Sequence, residues 1–400
     1  MICGCIGERL PHALFREIHE AIAGEGYELR AIAPEALNAF LRDRSFRGVN
    51  VTGSFQQAVL PHLDWLSEAA RAAGAADTIV NRNGLLCGYN AGCEGLAWLL
   101  RRMDLQPAGK KVLILGAGGA GRAALHAVRG MGAAPIVCAV GEEAARQHGD
   151  AEIIVNATPQ EASPQPDEVI LPLDSFQALR GVIDMTFDPL RSRLVLQARA
   201  RGVPAEGGLY MLAAQSVRTE AIFRDTSFPD GLADDVYSRV LRRRENIVLT
   251  GMPGSGKSAV ARILGERLGR PVVDVDARVV ERAGLSIPAI FARFGEPRFR
   301  DLESEIVAEA AAGTGLVIAT GGGTVLRPRN VTALRRNGRL FLLDRPLQAL
   351  TPSDDRPLGN TREKIERLYR ERMPLYRGTA DEIIPADDTP EAVAAMIESR

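Results

Sequence analysis

Gly251, Gly254 and Gly256, followed at once by Lys257 and Ser258, form the run GMPGSGKS behind a short apolar strand that begins at Ile247. Glycines at this spacing let successive backbone N–H groups, that of Ser255 among them, converge on phosphate oxygens at a helix N-terminus. Lys257 then reaches the β- and γ-phosphates, and Ser258 offers its hydroxyl to Mg²⁺. The chain has only four lysines, Lys110, Lys111, Lys257 and Lys364, among 49 lysines and arginines. A lysine at this one position is therefore informative, because a point charge suits the phosphates better than a planar fork. The chemistry implied is the binding of a nucleoside triphosphate with Mg²⁺.

A second group lies just downstream. Asp274 and Asp276 stand two apart in PVVDVD. If the strand persists through both, their carboxylates face one side at its C-terminal edge, one for Mg²⁺ and the other for a hydroxyl. All five histidines precede residue 150, so the second half must work with carboxylates, arginines and its lysine, and a metal site built on histidine is excluded there.

These residues need elements to hold them. Four hundred residues with 46% apolar content and a net charge of -1 describe a soluble protein of two or three domains. No basic footprint for nucleic acid is present, no apolar run has the length of a membrane span, and no signal peptide is recognisable, so the expected location is cytoplasmic. The five cysteines are odd in number with no CxxC pair, which reads as free thiols. Nothing fixes an oligomeric state. Residues 1–101 alternate short apolar strands (Ile2 to Ile6, Gly48 to Thr52, Thr78 to Asn81) with amphipathic helices. In KKVLILGAGGAGRAALHAV, Gly116, Gly118 and Gly121 sit between a strand and a helix, and 102–207 resembles a Rossmann unit. A polar stretch over 226–244 reads as a linker, and residues 245–400 follow as a separate domain. The fold class is α/β throughout, ending in a P-loop NTPase-type parallel sheet.

From the P-loop onward the motifs resemble those of shikimate kinase. Besides the loop and the aspartate pair, IFARFGEPRFRDLESE carries the family's GE-x-x-FR-x-x-E pattern at Gly295, Glu296, Phe299, Arg300 and Glu303. VIATGGG ends in Gly321, Gly322 and Gly323, whose bare backbone lets a polyol approach the amides. The resemblance implies that Asp274 serves the Mg²⁺ shell and that Asp276 takes the proton of, or orients, the attacking hydroxyl of shikimate. It further implies that Arg300 and Arg372 clamp the substrate carboxylate, and that Arg356 closes over ATP from a lid. The lid segment Ala349 to Asp355 departs from the family pattern, with Thr351 at a position often basic and two aspartates before Arg356.

Residues 1 to about 225 resemble shikimate dehydrogenase at NVTGSFQQ, GAADTIV, GYNAGCEGL, the glycine loop, NATP and EGGLYMLAAQS. The first 101 residues then form its substrate subdomain, completed by about 208–240. Asn50, Thr78, Asp188, Met211 and Gln215 keep family positions, but Gln56 replaces the catalytic lysine, Gly92 its aspartate partner, and Asp77 an asparagine. The HSxSP serines align with Ala13 and Phe15, next to His12, Leu14 and Arg16. Ala139, Val140 and Gly141 replace the motif whose arginine meets the NADP 2′-phosphate, while Glu142 lies where an acid could meet the ribose of NAD. Glutamine has no titratable group near neutral pH. The expectation is a kinase carrying a dehydrogenase fold without dehydrogenase chemistry and without firm NAD(P) binding. The alternatives are a bifunctional dehydrogenase–kinase and a kinase regulated by a ligand-sensing N-terminal half.

Overall fold

The computed structural model describes residues 2–8, 14–24, 26–158, 171–353 and 358–400. The chain divides into two compact units, Met1–Leu241 and Arg242–Arg400.

Unit one carries two sheets. In the first, β1 (Ile2–Gly7), β2 (Tyr27–Ala31), β3 (Phe46–Val51), β4 (Trp65–Leu66), β5 (Thr78–Arg82) and β6 (Leu85–Tyr89) stand in the order β2-β1-β3-β5-β6-β4. β1 is parallel to both neighbours, whereas β5 is antiparallel to β3 and to β6. The β5–β6 hairpin turns through Asn83 and Gly84, both at positive φ, the pair that most readily closes a two-residue turn. The second sheet contains β7 (Val112–Leu115), β8 (Ile136–Ala139), β9 (Ile153–Asn156), β10 (Gly181–Asp184) and β11 (Ala205–Glu206), all parallel, in the order β11-β10-β9-β7-β8. Every residue of β7, β9 and β10 is buried, as expected of parallel strands covered on both faces. The helix Leu209–Arg224 packs on the helix Ala91–Arg102 and on β3 and β5. One apolar cluster runs from Cys5 and Leu14 through Leu96, Ile114 and Ile183 to Leu212 and Val240, joining the two sheets.

The stretch expected as a linker is mostly helix. Leu232–Arg244 buries Ala233, Val236, Tyr237 and Val240, which enter the core of unit one. Their spacing of three, one and three places them on one helical face. Aspartates at one end and three arginines at the other made the segment read as solvent-exposed.

Unit two is a five-stranded parallel sheet of β12 (Asn246–Thr250), β13 (Val272–Asp274), β14 (Val317–Ala319), β15 (Gly338–Asp344) and β16 (Glu382–Pro385), in the order β13-β14-β12-β15-β16. Alternate strand residues feed different cores. Val248, Ile318, Leu340 and Leu342 join one apolar cluster, while Leu249, Val317, Phe341 and Leu343 join another. The segments that follow β12, β13 and β14 lie at the strands' C-terminal edge: the loop with Gly251 to Gly256, the helix start with Asp276, and the turn with Gly321 to Gly323. Among the described residues, no helix is long and apolar enough to cross a membrane.

Candidate active site

The loop after β12 bends at Gly251, Gly254 and Gly256, with φ of 140°, 85° and 95°. Side chains disfavour these left-handed values, so the glycine spacing is the backbone path itself. The helix Lys257–Leu268 begins there with no side-chain cap, leaving its N-terminal N–H groups and positive dipole end for an anion. Lys257 is 8% exposed, and its ammonium donates to Gly251 O at 2.9 Å and Met252 O at 3.0 Å. The loop carbonyls thus hold the lysine tip beside the phosphate cradle. The Ser255 hydroxyl is buried within the loop and makes no hydrogen bond.

The aspartates meet the cleft by a different route from the one expected. β13 ends at Asp274, and the helix Val275–Ala283 starts immediately, so no strand runs through both residues. Asp274 is the helix N-cap, accepting from Ala277 N at 3.1 Å through Oδ1, and Asp276 lies in the first turn. Capping wins because an aspartate at a strand end can satisfy a helix N–H that nothing else serves. The other Asp274 oxygen accepts from Ser258 Oγ at 2.5 Å. A hydroxyl and a carboxylate in contact form an oxygen pair of the kind Mg²⁺ takes. Among the described residues no group of three or more His, Cys, Asp or Glu is placed to hold an ion. Asp276 has its carboxyl pushed up to about 6, chiefly by burial; Lys257 pulls it down, Glu303 and Asp274 push it up, and Arg300 pulls it down.

The long helix Ile287–Ala312 breaks at Gly295 (φ 77°, ψ 171°), two residues before Pro297. Past the break, Glu296, Arg300 and Glu303 follow at spacings of four and three and share a face. Arg300, 7% exposed, donates from Nη1 to Glu303 Oε2 at 2.9 Å. Its Nε and Nη2 both donate to Glu296 Oε1, at 3.1 Å and 2.9 Å. Glu303 is fully buried and also accepts from Thr324 Oγ1 at 2.9 Å.

The glycine run lies directly beneath. A Cβ on Gly323 would stand 2.1 Å from Arg300 Nη1. One on Gly321 would stand 2.3 Å from Glu303 Oε1 and 2.7 Å from Asp276 Oδ1, and one on Gly322 would stand 2.7 Å from Pro253 Cγ. The glycines form a floor on which functional side chains already rest, a stronger constraint than ligand access to the amides. Arg372, 5% exposed, donates to Gly322 O at 2.8 Å, and the Tyr376 hydroxyl donates to the same carbonyl. The resulting cleft, about 410 Å³, is lined by Lys257, Ser258, Asp274, Asp276, Arg300, Glu303, Gly322, Gly323 and Arg372, with Ile287, Phe291 and Phe299 as its apolar wall. Arg356, with Asp354 and Asp355 of the lid segment, lies outside the described residues. The sequence reading gave no role to Glu296, Glu303 or Tyr376. For the two glutamates, helical spacing from Arg300 was the available signal.

Unit one has a cleft of its own, about 580 Å³, lined by Gln56, Asp77, Gly118, Gln215 and the apolar Phe15, Phe187 and Met211. Gln56 Nε2 donates to Val51 O at 3.1 Å. Asp77, 4% exposed, accepts from Ala91 N, Gly92 N and Thr78 Oγ1, each at 2.8 Å, and from Gln215 Nε2 at 3.3 Å. A Cβ on Gly92 would stand 3.1 Å from Asp77 Oδ2, so a carboxylate from the neighbouring strand end occupies the space beside Gly92. Phe15 packs edge-on to Phe187 at 6.1 Å. The glycine loop keeps a tight path: Gly116 has φ 107°, and a Cβ on Gly121 would lie 2.2 Å from Gly116 O. Toward a dinucleotide the fit is partial. The loop backbone suits a pyrophosphate, but Glu142 pairs with Arg146 at 2.9 Å and Val140 is 70% exposed at the end of β8. His12, Ala13 and Pro159 lie outside the described residues.

A phosphate loop, a carboxylate beside its lysine and two buried arginines in one cleft are the parts expected of a P-loop phosphotransferase. Residues 253–400 match the family model described as shikimate kinase, and residues 8–79 match that of the shikimate dehydrogenase substrate binding domain. The shikimate kinase of Symbiobacterium thermophilum is 56% identical over 168 residues, covering 38% of this chain and 94% of that protein. That of Caldicellulosiruptor bescii is 39% identical over 162 residues, covering 39% and 94%. The chain belongs to the shikimate kinase family through its C-terminal unit. Its N-terminal part is similar in structure to a chorismate mutase/shikimate 5-dehydrogenase fusion protein from Clostridium acetobutylicum (26% identity, TM-score 0.56, covering 60% of this chain and 96% of that one). It is likewise similar to a shikimate 5-dehydrogenase from Thermus thermophilus solved with NADP(H) and shikimate (29%, 0.53, 60% and 99%).

The floor predicts its own sensitivity. Gly323→Ala should displace Arg300 and raise the KM for shikimate by roughly tenfold to a hundredfold, with a much smaller effect on the KM for ATP, measured by coupled ADP release.

Proposed function

We propose that unit two transfers the γ-phosphoryl group of ATP to the 3-hydroxyl of shikimate, and that unit one carries out no dehydrogenase reaction. The observation that carries the first statement is the convergence of Asp276, Lys257, Arg300 and Arg372 on one cleft at the strand ends. Arg300 and Arg372 fix the substrate carboxylate, which places the ring over the glycine floor. Asp276 then orients the attacking hydroxyl and takes its proton, a role its carboxylate form serves above about pH 6. Lys257 and the loop N–H groups hold the phosphates in line with that hydroxyl, so positioning and charge neutralisation supply most of the rate. Ser258 and Asp274 are the residues that would hold Mg²⁺, which, when bound, neutralises charge on the phosphates. Arg356 is assigned to the ATP lid on the family pattern alone.

The second statement rests on the floor of the other cleft. Gln56 cannot exchange a proton, Gly92 has no side chain, and Asp77, the one carboxylate lining the cleft among the described residues, is engaged by four donors. Asn50 is likewise taken up, accepting from the Tyr27 hydroxyl at 2.7 Å and donating toward Thr78 and Thr219. Groups that would meet a hydroxylated ring in the resembling family are here bonded to one another.

Four outcomes test these statements. Asp276→Asn should lower kcat by about 10² to 10⁴. In the unaltered chain kcat/KM should fall about tenfold per pH unit below about 6, since a carboxyl with a raised pKa is lost as base when protonated on that side. Purified protein with shikimate and either NADP⁺ or NAD⁺ should give no absorbance increase at 340 nm; reduction of either would overturn the second statement. Finally, Gly92→Asp should destabilise the chain by about 2–4 kcal/mol in urea unfolding, because it sets a second carboxylate against buried Asp77, and adding Asp77→Asn should recover much of the loss.

A further inference from the structure

Arg300 holds two carboxylates before any substrate arrives. Glu303 takes one N–H of Nη1, while a single oxygen of Glu296 takes both Nε–H and Nη2–H, the side-on edge with which a guanidinium grips a carboxylate in bidentate fashion. One positive charge balanced by two negative ones has no net attraction left for a third. A substrate carboxylate seated on Arg300 with both glutamates in place would be a buried like-charge cluster.

One glutamate must therefore give way, and the two are not equivalent. Glu303 is fully buried, pinned by Thr324 and pressed against the Gly321 backbone. The Glu296 side chain is 42% exposed, and its hydrogen bonds run to Arg300. It also directly follows Gly295, whose φ of 77° breaks the helix, so its own backbone is not locked into the preceding segment. Moving Glu296 into water costs little, because a half-exposed carboxylate keeps most of its hydration.

We propose that Glu296 is an exchangeable counter-ion that occupies the substrate-carboxylate seat on Arg300 in the ligand-free kinase and is evicted by the acid it stands in for. Glu296 is thereby a specificity-determining residue. It keeps the buried guanidinium from capturing weak or neutral ligands, and only a ligand bringing its own carboxylate repays its departure. The proposal rests on the reading of Arg300 as the carboxylate clamp.

The test is a KM-against-kcat comparison on the full chain with shikimate, joined to calorimetric titration of shikimate without nucleotide. Glu296→Gln should lower both the KM and the dissociation constant for shikimate by roughly three- to tenfold, the gain appearing in KM rather than kcat. Glu296→Asp, which keeps the charge but shortens its reach, should act in the same direction and carries the test if the glutamine variant fails to fold. A rise in KM for both variants would mean that Glu296 is a fixed brace for Arg300 and would overturn the exchange. Arg300→Gln separates the two levels of the argument. If it leaves the shikimate KM unaltered, the clamp reading itself fails. If it raises that KM strongly while neither Glu296 variant lowers it, only the exchange fails.

Discussion

The C-terminal unit is organised around one buried ion pair. Arg300 and Glu303 are 7% and 0% exposed, and neither charge is tolerable there without the other. Their contact fixes what surrounds them. Thr324 must supply Glu303 with a further donor, and the chain beneath must be free of side chains, because any Cβ on Gly321 or Gly323 would collide with the pair. The helix carrying the pair breaks at Gly295, immediately before the segment that holds Glu296, Arg300 and Glu303. Burial of one guanidinium with its carboxylate thus constrains Gly321, Gly323 and Thr324.

The same pair tunes the chemistry next to it. Burial is the main force raising the Asp276 carboxyl; Lys257 opposes it by stabilising the charged form, and Glu303 adds to the rise. A carboxyl near 6 is a stronger base than an ordinary aspartate while remaining mostly ionised at neutral pH. Were Glu303 absent, Arg300 would lose its anchor and Asp276 part of the field that raises it. On the proposed reading, substrate gripping by Arg300 and proton acceptance by Asp276 are coupled through the one buried carboxylate of Glu303.

What was legible in the sequence follows from distance along the chain. The phosphate loop could be read because its glycines, lysine and serine act within eight residues, where spacing and geometry are nearly the same thing. The aspartate pair was found for a reason that failed: Asp274 ends the strand by capping a helix, and alternation along a strand had nothing to do with bringing Asp276 to the cleft. The interplay of Glu296 and Glu303 with Arg300 was half visible as helical spacing, but its meaning depends on glycines some twenty residues further on. The helix Leu232–Arg244 was hidden because its apolar face is only four residues wide and both ends are densely charged. In unit one the missing lysine and aspartate were plain, whereas the shift of a carboxylate to Asp77 could be recognised only once β5 and the helix Ala91–Arg102 were seen to meet.

On the proposed reading, in which unit one carries out no dehydrogenase reaction, the carboxylate at Asp77 also shows how a fold can outlast its reaction. An active site is a place where polar groups are left unsatisfied for a ligand, and such groups cost stability when buried. Deleting a catalytic side chain without replacement would leave the N-terminal N–H groups of the helix Ala91–Arg102 facing an empty cleft. Here Asp77 accepts from two of them, Gln215 closes on Asp77, and Gln56 turns to the Val51 carbonyl. Positions 77 and 92 are neighbours in space: the Asp77 carboxylate lies against Gly92 and accepts from the N–H groups of Ala91 and Gly92. On the proposed reading, a unit freed from turning over a substrate need not keep its cleft open, and its polar residues settle into partnerships with one another.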